Sequence, residues 1–364
     1  MGLPGSFSPE EAEARSVSGD TSMTAATATG ETGGATRAGA ALRPLLRFAI
    51  PVLLLVLAWF YLGPQQFVNA LTRGSIYALI ALGYTMVYGI IELINFAHGD
   101  MFTVGAFVSL SFLVFLGFSG AITDVGLLII VLAATFLVTM GAMGAIGVTI
   151  ERLAYKPLRR APRLAPLITA IGVSFILQNV IQLFYGPFQT NSPKVFPDSW
   201  SVQIGGATIP VLSVFIVGVA LSLMVGLQLF IGRTRLGRSM RATAADRDAA
   251  ALMGVNINRT IAITFLIGSA LAGAAGVING LQYGVARFDD GFQAGLKAFT
   301  AAVLGGIGNT VGAALGGFII GFIEVAAVVA GYGRWGPAIV FGTLVIVLVF
   351  RPSGLLGQQL GERA

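Results

Sequence analysis

Runs of about twenty apolar or small residues recur along the 364-residue chain, separated by short stretches that collect most of its charge. They fall at about 44–63, 66–90, 95–117, 126–150, 165–186, 208–231, 259–283, 298–330 and 336–350. Each is long enough to cross ~30 Å of hydrocarbon as a helix. The alternating segments of ~10 residues that a membrane barrel needs are absent from the sequence. The pattern predicts an all-α, polytopic transmembrane helical bundle of about 9–10 spans, one of them a broken helix. The break is expected in the run 298–330, which exceeds a single span and contains GGIGN at 305–309.

Residues 1–41 are rich in Thr, Ala, Gly and Ser, carry Glu10, Glu11 and Glu13, and read as a disordered tail. They begin acidic, unlike a signal peptide. Arg37, Arg43 and Arg47 precede the first run, which places the tail in the cytoplasm by the positive-inside rule. Counting crossings from there puts ERLAYKPLRRAPR (151–163) and the arginine-rich loop 232–259 inside, and GPFQTNSPKVFPDSWS (186–201), with its single lysine, outside. Counting the broken run as two crossings returns Arg351 and Arg363 to the cytoplasm. Glycines repeat every four residues at 276, 280 and 284, at 308, 312 and 316, and at 317 and 321, a spacing that lets helix backbones approach in lipid.

Composition narrows the chemistry. With 55% hydrophobic and 10% charged residues and a mean hydropathy of +0.85, the chain is no water-soluble domain. The absence of cysteine excludes disulfides, cysteine-ligated zinc, iron–sulfur clusters and thiol catalysis. A single histidine excludes a clustered imidazole metal site. The net charge of +6 comes from arginines in short loops between spans, so the expected partner is membrane lipid, with no nucleic acid. His98 and Asp100 form the only obvious candidate catalytic pair, and no paired aspartates or serine–histidine set accompanies them. No catalytic residue is assigned.

That histidine lies in NFAHGD (95–100), close to Glu92 and within otherwise apolar sequence. On a continuous helix Glu92, Asn95 and Gly99 would share a face, with His98 and Asp100 flanking it. Two compatible readings stand. A broken helix could line a solute path, or Asn95 and Asp100 could cap helices at a tight turn with His98 bonded to a carbonyl. A proton relay through His98 is a third. Tyr84 and Tyr88, one turn apart, could face the path or simply pack. Arg73 is expected to snorkel to water at the outer end of its span. Glu324, inside an apolar run, is expected to face another helix or a cavity.

The loop 232–259 is too long for a turn. Within it RDAAALMGVN (247–256) predicts a short amphipathic helix that presents Leu252 and Met253 and closes on Gly254 as its C-cap. Its apolar face is too small to lie on lipid. DAAALMG (248–254) resembles the Glu-Ala-Ala, three residues, Gly signature of ABC importer permeases, with Asp248 in place of Glu and without the later Ile-x-Leu-Pro. GYTMVYGIIELINFAHGDMF (83–102), ERLAYKPLR (151–159), RATAADRDAAALMGVNINRTIAITFLIG (241–268), KAFTAAVLGGIGNTVGAALGG (297–317) and RPSGLLG (351–357) are together similar to the branched-chain amino acid importer permeases, in particular the first of that system's two permease subunits.

The resemblance covers about 66–357. It divides the chain into the tail 1–41, an additional transmembrane helix 42–63, a permease domain 64–357 with the coupling loop 232–259, and a C-terminal tail 358–364. It implies a bacterial cell-membrane importer in which Asp246, Asp248, Ala249, Ala250, Leu252, Met253 and Gly254 form a coupling helix docking on an ATPase. The implied partners are a second permease, two cytoplasmic ATPase subunits and an extracytoplasmic solute-binding protein. No G-x-x-x-x-G-K-[ST] loop is present, so the chain is expected to hold no cofactor and ATP to be bound by the partner subunits. Urea and short amides are the alternative substrates. A secondary transporter is a further alternative, which would need more ionisable groups at mid-membrane and no projecting helix.

Overall fold

The computed structural model describes residues 33–159, 161–162, 164–204 and 207–357. Most of the expected N-terminal tail and the whole C-terminal tail lie outside the described residues. The chain divides into two units, 1–55 and 56–364. Of the first, only the helical backbone of 33–55 is described, beginning within the stretch expected to lack structure. Everything below concerns the second.

Eleven α-helices follow one another among the described residues: α1 Gly33–Ile91, α2 Ala97–Phe115, α3 Val125–Ile150, α4 Leu164–Tyr185, α5 Val211–Arg233, α6 Arg235–Ala245, α7 Arg247–Leu252, α8 Ile257–Tyr283, α9 Asp290–Gly305, α10 Thr310–Val329 and α11 Gly336–Phe350. Four short strands make two antiparallel pairs, β1 Thr190–Asn191 with β4 Val285–Ala286 and β2 Ser201–Ile204 with β3 Ala207–Pro210. Eight helices among the described residues are long and apolar enough to cross a membrane, against the nine or ten expected. One reason is that the run 42–63 is described in side-chain detail only from residue 56, where it joins the next run within α1. The other is that α9, at 16 residues, reaches only about 24 Å.

The two runs joined in α1 are nonetheless separated by a turn. Gly63 takes φ 75° and ψ 161°, a conformation open to glycine. The rings of Trp59 and Phe67 then meet at 5.3 Å, where a straight helix would hold them roughly 12 Å apart. The expected break at GGIGN is present: α9 ends at Gly305, the chain turns through Gly306 and Gly308 at positive φ, and Asn309 caps α10 by accepting from the Gly312 amide at 3.0 Å.

The helices α1, α2 and α8 form the buried centre, while α3, α4, α5 and α11 turn apolar side chains such as Ile130, Leu137, Ile176, Leu183, Val345 and Val349 outward. An apolar exterior is what lipid contact or a partner helix requires. Glycine sets the close approaches. Gly105 of α2 lies against Gly273 of α8, where an added Cβ would come 2.8 Å from the Gly273 Cα. Gly276 abuts Phe102 and Ala106 of α2. On α10 the predicted rows divide, Gly312 and Gly316 facing Gly305 and Ala301 of α9, and Gly317 and Gly321 facing Ala78 and Gly74 of α1. Gly284 instead ends α8 as a left-handed cap, and Gly308 belongs to the turn.

Because a Cβ at Gly317 would overlap the Ala78 backbone, Gly317→Val is expected to cost about 1–3 kcal/mol through overpacking. Gly218→Ala on α5, where nothing lies within 4 Å, should be neutral or stabilising by up to about 1 kcal/mol. Thermal unfolding of the detergent-solubilised protein distinguishes the two.

Candidate functional site

The loop between α5 and α8 folds into two helices, and α6 was not foreseen. Its N-cap Thr234 accepts from the Gly237 amide at 3.0 Å, its inner face is Gly237, Met240 and Thr243, and Arg235, Arg238 and Arg241 point outward. Asp246 then caps α7, its carboxylate accepting from the amides of Asp248 and Ala249 at 2.9 Å each. At the other end the Val255 amide bonds the Ala250 carbonyl and the Gly254 amide the Ala251 carbonyl, each at 3.0 Å, with Gly254 at φ 82°. This is a Schellman closure, which fixes where the helix stops. Ala250 is buried beneath it, while Leu252 and Met253 are 89% and 84% exposed. Arg247 ties the base of α7 to α1: its guanidinium donates twice to the Ile90 carbonyl, at 2.7 and 3.2 Å.

That carbonyl is free because α1 ends at Ile91. Glu92, at φ 54°, is the one non-glycine residue with positive φ among the described residues, and 92–95 are non-helical before α2 begins. Glu92, Asn95 and Gly99 therefore do not share a helix face. Glu92 is exposed and lines a cavity of about 220 Å³ with Tyr155, Arg159 and Arg247. Asn95 is buried and its Oδ1 accepts from the Tyr155 hydroxyl at 2.9 Å. Glu151 pairs with Arg159, which also donates to Asn258 at 2.6 Å beside the start of α8. Three separate sequence blocks, NFAHGD, ERLAYKPLR and the α7 loop, thus converge at one end of the bundle.

Neither expected cap forms. The Asn95 side chain caps nothing, and the Asp100 carboxylate instead accepts from the Ser174 hydroxyl and from the Gln178 amide at 3.0 Å, both on α4. His98 is buried over Gly83, faces the Ile80 carbonyl without a well-formed hydrogen bond, and meets the Tyr84 ring edge-on at 4.8 Å. Gly99 is pressed against Gly291 and Gly295 of α9. Tyr84 and Tyr88 border a pocket of only about 10 Å³ closed by Phe299. In this conformation, then, these residues pack helices together rather than line an open path.

Comparison with known proteins gives the family. The model of the family described as "Branched-chain amino acid transport system / permease component" matches residues 66–349. The chain belongs to that permease family. It is 45% identical over 302 residues to the high-affinity branched-chain amino acid transport system permease protein BraD of Pseudomonas aeruginosa, covering 82% of this chain and 97% of the relative. It is 43% identical to LivH of Escherichia coli (strain K12) over the same shares, and 26% identical over 332 residues to LivM of that strain, covering 85% of this chain and 74% of LivM. No solved structure matches.

In this permease, the charged residues that sequence reasoning left unpaired meet beside Arg73 of α1, about eighteen residues before its Ile91 end. Glu324 of α10 accepts from Lys297 of α9 at 2.7 Å and from the Tyr77 hydroxyl at 2.6 Å, and lies 3.7 Å from Arg73. Arg73 donates to the Tyr283 hydroxyl at 3.2 Å. It does not simply snorkel to water as expected. Lys297 was missed, although each lone charge in an apolar run costs ~3 kcal/mol and so requires a partner somewhere.

Removing the Asp246 cap is expected to cost about 1 kcal/mol of local stability. Asp246→Ala should therefore speed amide hydrogen exchange across 248–252 about fivefold without altering exchange in α2 or α8. Unchanged protection of α7 would refute the capping geometry.

Proposed function

We propose that this chain is the membrane-spanning permease subunit of an ATP-driven ABC importer of branched-chain amino acids in the bacterial cell membrane. The observation that carries the reading is α7: a helix closed at both ends, presenting two large apolar side chains to solvent, and joined through Arg247 to the end of α1. Exposed Leu252 and Met253 are suited to a groove on another protein. Family membership and the names of BraD and LivH support the substrate class.

In this reading α7 faces the cytoplasm and docks on one of two ATPase subunits. ATP is bound and hydrolysed there, and this chain holds no cofactor and carries out no chemistry of its own. A second permease, for which the similarity to LivM offers a pattern, completes the translocation path, and an extracytoplasmic binding protein delivers the solute. Closure of the ATPases pushes α7, and the Arg247 link passes that displacement to α1, tilting the helices between outward and inward access.

The double variant Leu252→Asp/Met253→Asp, assembled with its partners in proteoliposomes, should lose at least tenfold in leucine uptake while ATP hydrolysis persists without responding to solute. Undiminished uptake would sink the docking role, and uptake of urea in place of leucine by the unaltered complex would overturn the substrate.

A further inference from the structure

The Arg73–Glu324–Lys297 cluster forms the wall of a cavity of about 310 Å³. Ligand pockets begin near this size. The cavity lies about eighteen residues along α1 from the end gripped by Arg247, or roughly 27 Å of helix. Its charges are balanced but separated. Arg73 and Lys297 stand against Glu324, and Asp290, the first residue of α9, lines the same cavity.

Asp290 commits one oxygen to the Arg287 amide at 2.8 Å and keeps the other. Among the described residues, the side-chain amides of Asn279 and Gln293 on the same lining hydrogen-bond to no protein group. Ile76, Val285 and Ala294 supply an apolar wall.

A merely structural contact has little reason to look like this. A buried ion pair is weak evidence for stability, since apolar residues of similar volume commonly serve as well or better, whereas ionisable groups among membrane helices mark sites of function. Two cations around one carboxylate leave a positive charge unmatched within the cluster, and a second carboxylate, Asp290, lines the same cavity. A ligand complementary to that arrangement is neutral overall, carries an anionic and a cationic group a few ångströms apart, and has a short apolar body. Urea has no separated charges to match it.

We propose that this cavity is a binding station for a zwitterionic aliphatic amino acid. Arg73 and Lys297 receive its carboxylate, the free oxygen of Asp290 its ammonium, and Ile76, Val285 and Ala294 its side chain. The proposal rests on the reading of the chain as an amino acid permease.

The absence of cysteine from the chain provides the test. In the assembled transporter, Asn279→Cys and Gln293→Cys are labelled with a charged methanethiosulfonate reagent with and without millimolar L-leucine, and Ser199→Cys, exposed and away from the cavity, serves as control. Leucine should slow labelling at 279 and 293 at least fivefold and leave 199 unchanged. Adding Lys297→Met should abolish that protection and lower leucine import at least tenfold, and Lys297→Arg should restore both. A complex that imports leucine yet shows no protection at 279 or 293 overturns the station alone. One that imports urea and not leucine overturns the substrate reading together with it.

Discussion

A peptide group surrounded by apolar helices has no water to bond, so a chain that interrupts a helix there must find a partner for every amide and carbonyl it frees. This constraint shows at two of the breaks in the bundle. Where α9 stops, the carbonyls of Leu304 and Gly305 accept from the amides of Leu355 and Leu356 at 2.8 and 3.0 Å, and Asn309 donates to the Leu356 carbonyl at 2.9 Å. The C-terminal RPSGLLG is therefore a strap that completes a helix end fifty residues earlier. Where α1 stops, the Ile90 carbonyl is completed by Arg247. There the same requirement ties α1 to α7, because the group that satisfies the backbone belongs to the helix that exposes Leu252 and Met253.

How far such a link reaches depends on packing. Interfaces built on glycine place backbone against backbone, so there is no flexible side chain between helices to absorb a shift. The helix α10 is held this way on two sides, by α9 through Gly312 and Gly316 and by α1 through Gly317 and Gly321. Overpacking at such contacts costs about 1–3 kcal/mol, a large share of what holds one conformation over another. α10 is therefore packed backbone to backbone against both α9 and α1, and the charged cavity is lined by all three together with Phe102 of α2, the end of α8 and Val285.

Much of this was legible along the chain. Run length gave the spans, GGIGN marked the break before α10, and Gly254 after a short apolar pair fixed the end of α7, because each is a local property of the backbone. What depends on which helix faces meet was not legible. Glu324 and Lys297 are 27 residues apart on separate helices, and nothing in either run says they point at one another. The grouping of Glu92, Asn95 and Gly99 failed because it assumed an unbroken helix across 92–95, where no proline or glycine signals a stop and Glu92 itself takes the left-handed conformation. The helix α6 was missed for the opposite reason: its arginines read as loop charge, and only the spacing of Gly237, Met240 and Thr243 betrays an inner face.

The two polar sites within the bundle differ in charge balance and in the space beside them. The Asp100 carboxylate takes both of its bonds from α4 and is enclosed, and Asn95 is held by Tyr155. Those residues join helices, and their polarity selects one packing arrangement. Around Glu324 the cations outnumber the carboxylate, the neighbouring amides are unengaged, and the space between them is open. A net charge beside an open cavity is stable only if water or a solute completes it, whereas the unbonded Nδ1 and Nε2 of His98 and Nδ2 of Asn95 are enclosed between helices. His98 is thus enclosed between helices with neither ring nitrogen bonded, and the groups suited to meet a solute are the ones that seemed incidental in the sequence.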